Sequence, residues 1–186
     1  MTNIYIALLH YPVYDRDHAV VTTSITNMDI HDIARSARTY GVKRYFVVTP
    51  TRTLRLLAQK ILDHWESGYG STYNETRKDA LSLVALAEDL DGAIRQICED
   101  EGESPYIVAT SARSGARRIP FSDMRTRIEQ SRPPVLFLFG TGWGLTEEVL
   151  DRADAILEPI QGVGGYNHLS VRAAAAILLD RLRGAR

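Results

Sequence analysis

An apolar run from Val135 to Phe139 that stops abruptly at Gly140-Thr141-Gly142-Trp143-Gly144 constrains this chain more than any other feature. Such a run reads as a buried strand. Glycines immediately beyond it turn the chain sharply, where backbone approaches backbone or a ligand with no Cβ in the way. Leu145 and a short acidic helix follow, and a second glycine-rich stretch, residues 158–170, leads into a long apolar helix. Two flexible loops therefore sit at the ends of buried elements. Asn167, His168 and Ser170 gather at the start of that last helix, where unpaired backbone N–H groups meet polar ligands.

The rest of the chain supplies a frame for these loops. Residues 4–11 read as a buried strand, followed by a turn at 12–17 and a short strand at 20–23. From Asp29 the apolar spacing becomes helical through Ile30, Ile33, Ala34, Ala37 and Tyr40, and Gly41 closes the helix. Residues 43–49 form the next strand, ended by Pro50. This strand, helix, glycine, strand order is the unit of a parallel sheet covered by helices. A helix is expected over 52–65, a glycine-rich interruption over 68–74, and a long helix or bent pair of helices over 77–98, carrying Leu81, Val84, Ala85, Leu90, Ile94 and Ile97. A strand at 106–110, a helix over 122–129 and an extended piece at 157–160 complete the pattern. Val171, Ala174, Ala175, Leu178, Leu179 and Leu182 mark the inner face of the final helix, and its run Ala173 to Ala176 favours close approach to the sheet or to a second subunit.

Length and composition bound the class. The 186 residues are expected to form one domain, residues 1–186, and the 45% hydrophobic and 24% charged content is ordinary for a globular protein. Nothing approaches a membrane span, and the N-terminal apolar stretch is too short and lacks the basic flank of a signal peptide. The single cysteine, Cys98, excludes an internal disulfide and a cysteine-cluster metal site, so a cytoplasmic protein is expected. A net charge of -1 does not mark a nucleic-acid binder by itself, yet Arg113, Arg117 and Arg118 crowd one Ser/Gly-rich loop, with Arg125, Arg127 and Arg132 soon after.

Several chemistries find no support. The five histidines are scattered without an HExxH spacing, so no metal site is expected, and no GxxxxGK[ST] phosphate loop is present. The 140–144 glycines lack the GxGxxG spacing of a dinucleotide loop, which leaves a nicotinamide oxidoreductase a remote alternative. Arg35, on the first clear helix and followed by Arg38, is either a surface residue or a fork presented to a phosphate or carboxylate.

The chain resembles SPOUT-class RNA methyltransferases, closest to the compact bacterial RNA methyltransferase domain that also occurs fused behind tRNA guanine methyltransferases. The resemblance spans nearly the whole sequence and rests on residues 4–13, 29–41, 61–65, 138–145 and 166–172. It implies an α/β fold whose parallel sheet is covered by helices and whose C-terminal segment is threaded into a trefoil knot. It also implies a homodimer, an RNA substrate (tRNA or rRNA), and an S-adenosylmethionine site made by three loops. The first loop falls at Thr110, Ser111 and Ala112. The second comprises Phe139, Gly140, Thr141 and Gly142. The third runs from Ile160 through Gly162, Gly165, Asn167, His168 and Leu169 to Ser170. Residues 35–41 resemble the first motif of SPOUT ribose methyltransferases, which places Arg35 at the acceptor, to orient phosphate or offset charge. His168 either transfers a proton or hydrogen-bonds its loop. Asp29 stands where the common motif has asparagine, and residues 140–145 lack the second motif's acidic residue. These departures leave a noncatalytic RNA-binding or regulatory protein on the same fold as the alternative.

Overall fold

Six consecutive residues with no exposed surface, Ile4–Leu9 (β1), form an interior strand of the sheet, paired on both sides. In the computed structural model, which describes residues 2–115, 118–130 and 133–185, the chain continues through β2 (Val13–Tyr14), β3 (Val20–Val21), α1 (Asn27–Thr39) and β4 (Arg44–Val48). Next come α2 (Arg52–Glu66), α3 (Gly70–Tyr73), α4 (Glu75–Leu81), β5 (Val84–Ala87), α5 (Leu90–Glu101), β6 (Tyr106–Ala109) and β7 (Arg118–Ile119). The last elements are α6 (Phe121–Gln130), β8 (Val135–Gly140), α7 (Glu147–Asp151), β9 (Ala155–Leu157) and α8 (Val171–Arg183). Arg117 and Arg132 lie outside the described residues.

The sheet order is β5-β4-β1-β8-β6-β9-β7, with every pairing parallel. Ile6 of β1 stands opposite Tyr45 on one side and Phe137 on the other. Both faces of β1 are covered. Ile4, Ile6 and Leu8 enter one core with the buried sides of α1, α6 and α8, while Tyr5, Ala7 and Leu9 enter a second core with α5 and α7. Coverage on both faces is why β1 and β8 read as continuous apolar runs rather than alternating ones. β2 and β3 pair outside the sheet as an antiparallel ribbon, and Val13 bridges to Leu145 just beyond β8.

The region 77–98 is not a long helix or a bent pair of helices. Helix α4 stops at Leu81, residues 84–87 pair with β4 as β5, and α5 starts afresh after Asp89. The Asp89 side chain accepts the Gly92 N–H at 2.7 Å, so the carboxylate caps the new helix. Leu81, Leu90 and Ile97 are buried as expected, but Val84 and Ala85 project from a strand. The other long helices and buried strands stand close to expectation, but β2 lies within the expected turn 12–17, α3 within the expected interruption 68–74, and β9 covers 155–157 where an extended piece at 157–160 was expected.

Candidate functional site

In a parallel sheet the carboxyl ends of adjacent strands bring loops together where connections diverge to either side. Here the loops after β6, β8 and β9 meet in a cleft of about 740 Å³. Thr110, Ser111 and Ala112 contribute from the first loop, Phe139, Gly140, Thr141 and Gly142 from the second, and Ile160, Asn167, His168, Leu169 and Ser170 from the third. The farthest of these, Ser170, lies 13 residues beyond Leu157 at the end of its strand (170 − 157), so the sheet fixes where each loop starts.

Hydrogen bonds hold the loops in place. The Thr110 N–H and hydroxyl both donate to the Leu138 carbonyl, at 3.0 and 2.9 Å, tying the first loop to β8. Asn167 Nδ2 donates to the Ala112 carbonyl at 3.0 Å and so clasps the third loop to the first. Ser170 Oγ accepts the Ala173 N–H at 3.3 Å, which makes it the N-cap of α8 as well as a cleft residue. Thr141 donates its hydroxyl to the Leu9 carbonyl at 3.1 Å and meets the Thr23 hydroxyl. His168 contacts the exposed Tyr166 ring edge to face at 5.3 Å.

Of the two partners expected for the loop glycines, backbone or a ligand, Gly140 and Gly142 meet backbone. A Cβ on Gly140 would lie 2.8 Å from the Leu145 nitrogen, and one on Gly142 would lie 2.8 Å from the Tyr14 carbonyl. Both glycines therefore allow the loop to close on its own chain. Gly142 also has φ +58, where L side chains are strained. Gly162 and Gly165 are exposed and are not among the cleft-lining residues, although they belong to the third loop. Arg35 is likewise exposed and outside the lining. It lies six residues beyond Asp29 on α1, about 9 Å along the helix axis from the cleft.

Several lining residues carry no expectation from the sequence. Ser24, Thr26 and Asp29 form the wall beside β1. Thr26 caps α1 by accepting the Asp29 N–H at 3.1 Å and donates its hydroxyl to Asp29 Oδ2 at 2.6 Å. The Thr-x-x-Asp spacing is a helix-start signal, and in a parallel α/β sheet the N-terminus of a helix faces the end where the strands finish. That signal could have found this wall. Arg172 on α8 approaches Asp29 Oδ1 at 3.6 Å and Asp32 at 3.9 Å, joining the first and last helices. Glu158 Oε1 accepts the Phe121 N–H at 2.7 Å, and its own N–H donates to the Ile119 carbonyl.

Behind the cleft wall His10 is buried, its Nδ1 3.1 Å from Thr23 Oγ1, and its Nε2 has no hydrogen-bond partner among the described residues. Burial pushes its pKa down to about 4, against the opposing pull of the Asp29 charge and a backbone hydrogen bond with Ser24. The imidazole is therefore neutral near pH 7.

The lining chemistry fits an adenosine-like ligand with little net negative charge. Leu157, Ile160, Val171 and Leu178 supply an apolar wall, while Thr110, Ser111, Asn167 and Ser170 supply hydroxyl and amide groups. Among the described residues, two carboxylates, Asp29 and Glu158, line the cleft with one arginine, Arg113, and no lysine. A polyphosphate would find little to neutralise it there, whereas a ligand carrying positive charge is well served. S-adenosylmethionine, an adenosine bearing a sulfonium, fits that donor set. Among the described residues no group of three or more His, Cys, Asp or Glu could hold a metal, and no helix is long and apolar enough to cross a membrane.

Known proteins point the same way. The chain is 47% identical over 182 residues to a tRNA (guanine-N(1)-)-methyltransferase of Nitratidesulfovibrio vulgaris, which covers 98% of this chain but 42% of that protein. The chain thus spans less than half the length of that relative. An uncharacterized protein of Aquifex aeolicus is 43% identical over 180 residues, covering 97% of this chain and 88% of that one. Among solved structures, an AdoMet-bound rRNA methyltransferase of Sinorhizobium meliloti aligns with a TM-score of 0.59 at 21% identity, over 97% of this chain and 56% of that one. The TrmH/SpoU tRNA modifying enzyme of Aquifex aeolicus aligns with a TM-score of 0.56 at 16% identity, over 98% and 75%. At these identities the structures establish a shared fold. Residues 3–184 match the SAM-dependent RNA methyltransferase family, to which this chain belongs.

Proposed function

We propose that the chain transfers a methyl group from S-adenosylmethionine to a nucleotide of tRNA or rRNA, in the cleft where the loops after β6, β8 and β9 meet. The observation that carries this reading is the clasp between the third and first loops: Asn167 on Ala112 closes a cleft of about 740 Å³ whose lining suits an adenosine with a positive charge. Bound there, the cofactor supplies an electrophilic methyl on a sulfonium. The chain's own contribution is to hold two partners in line, which can account for much of the rate acceleration in such a transfer. Asn167, Ser170 and the 110–112 and 139–142 loops bind and orient the cofactor. His168, at the exposed rim, takes up the acceptor's proton. Arg35, one and a half turns along α1 from the cleft, holds phosphate of an RNA that extends past the opening.

Three further features belong to this reading. The strand β8 inserts between β1 and β6 before β9 returns to the far side of β6, a chain path that supports the trefoil knot of SPOUT proteins. Exposed Met28, on the first turn of α1, and exposed Leu169, just before α8, support a homodimer formed at that end of the two helices. A tRNA- or rRNA-modifying role fits a cytoplasmic protein, and one sheet covered on both faces supports a single domain over residues 1–186.

Calorimetry with S-adenosylhomocysteine, followed by transfer of labelled methyl groups to total tRNA and rRNA, tests the reading. Saturable cofactor binding and incorporation into one RNA class are expected. Arg35→Ala should reduce transfer at least about tenfold while leaving cofactor affinity intact. Cofactor and RNA binding without any incorporation would make the protein a noncatalytic binder, and absence of cofactor binding by the folded protein would reject the site.

A further inference from the structure

The two tryptophans of the chain live in opposite surroundings. Trp65 is covered by the edges of His31 and His64, at 5.4 and 5.5 Å, and by the Arg77 guanidinium at 4.9 Å. Trp143 is 55% exposed, lines the cleft, and has no ring or cation packed on it among the described residues. Leaving so large an apolar surface bare is unusual, because an indole buries more area than most side chains when it finds a partner.

The backbone under Trp143 is nevertheless held firmly. Its N–H donates to the Tyr14 carbonyl at 2.9 Å, the Tyr14 N–H donates to the Gly144 carbonyl at 2.9 Å, and the Gly144 N–H donates to the Thr141 carbonyl at 3.1 Å. The β2–β3 ribbon thus acts as a brace, and Gly142 and Gly144, both at positive φ, let the loop follow it. A bare aromatic ring on a braced loop is suited to stacking.

We infer that Trp143 is the platform on which the base of the acceptor nucleotide stacks, so that the indole positions the nucleotide to be methylated. The inference rests on the methyltransferase reading given above. Its location separates it from part of the cofactor's apolar wall: Trp143 is tied to the ribbon beside β1, whereas Leu157 ends β9, beyond β6 in the sheet order, and Ile160 follows it. The wall on the β1 side offers the hydroxyls of Ser24 and Thr26 and the Asp29 carboxylate, groups that hydrogen-bond the edge of a base or a ribose hydroxyl. Stacking on an aromatic side chain is a general way to hold an unpaired base in RNA recognition, since every base has a π-face.

The test uses the full chain in a Trp65→Phe background, where Trp143 is the single emitter. Titration with S-adenosylhomocysteine alone should change its emission little. Addition of unmodified tRNA transcripts or rRNA fragments to the cofactor-loaded protein should quench it in proportion to binding. In transfer assays with the RNA class methylated by the parent protein, Trp143→Ala should lose about tenfold or more in kcat/KM for RNA. Trp143→Phe should recover most of that loss, and both variants should keep the parent affinity for S-adenosylhomocysteine. RNA binding without quenching, or full transfer by Trp143→Ala, overturns the stacking role and leaves the methyltransferase reading standing. Equal loss of cofactor affinity in Trp143→Ala assigns the indole to the cofactor and also overturns it. Failure of the parent to methylate any RNA overturns the underlying reading and this inference with it.

Discussion

Lowering the pH from 7 to 5 should destabilise this protein through one buried imidazole, and replacing His10 by leucine should remove that part of the effect. The unfolded chain binds a proton at His10 with a pKa near 6.5, whereas burial in the native state pushes that pKa down to about 4. Because the folded-state pKa is depressed, the stability contribution is fully present above pH 6.5 and is lost as pH falls toward 4. At pH 5 the unfolded chain is almost fully protonated at this site and the native protein hardly at all. The difference between pH 7 and pH 5 is about 2 kcal/mol. His10→Leu forfeits the contact with Thr23 but also removes an unpartnered buried Nε2, so the two proteins should lie within about 1 kcal/mol of each other at pH 7. Urea unfolding followed by circular dichroism at both pH values supplies the comparison. The four remaining histidines are common to both proteins and cancel in the difference. Equal loss of stability in parent and variant between pH 7 and 5 would refute the assignment of a buried neutral His10.

Two other substitutions probe the loops. Gly142→Ala should cost about 1–3 kcal/mol in thermal or urea unfolding, because φ +58 strains a residue with a Cβ and that Cβ meets the Tyr14 carbonyl at 2.8 Å; an unchanged midpoint would contradict the loop geometry. Asn167→Ala should weaken S-adenosylhomocysteine binding about fivefold by calorimetry with little change in the unfolding midpoint, since it releases one loop-to-loop hydrogen bond near the surface; unaltered affinity would show that the clasp does not shape the cleft.

The central strands were legible as continuous apolar runs buried on both faces, and glycines mark where the runs before residues 140 and 162 stop, whereas the 110–112 loop, which has no glycine, was expected only from the family resemblance. The segment 77–98 misleads for a physical reason. Leu81, Val84 and Ala85 are spaced like one helical face although they span a helix and a strand, and Leu90, Ile94 and Ile97 form a separate face on the second helix. The Asp89 cap and the unbroken apolar run 83–87 were the contrary signals, and short apolar runs satisfy either period. At the site, periodicity located Arg35 beside the buried stripe of α1 but not which end of the helix meets the cleft. That depends on Thr26 and Asp29, whose reciprocal capping fixes the helix start. Ser24 and Trp143 are brought to the cleft beside the β2–β3 ribbon, whose β3 was legible as a short strand but whose β2 lay in a segment that reads as a turn.

The interior place of β1 has a consequence for synthesis. Ile4 pairs with Val135, so one entire edge of this interior strand waits for a partner that emerges 131 residues later (135 − 4) on the ribosome. At about 5–20 residues per second, the interval is roughly 7–26 s. Over that time β4 can dock on one side of β1, but the side destined for β8 remains an apolar template facing solvent or the exit vestibule. A nascent chain of this kind is a natural client for a ribosome-associated holdase, and stalling translation before residue 135 should leave it prone to pairing with other half-made chains.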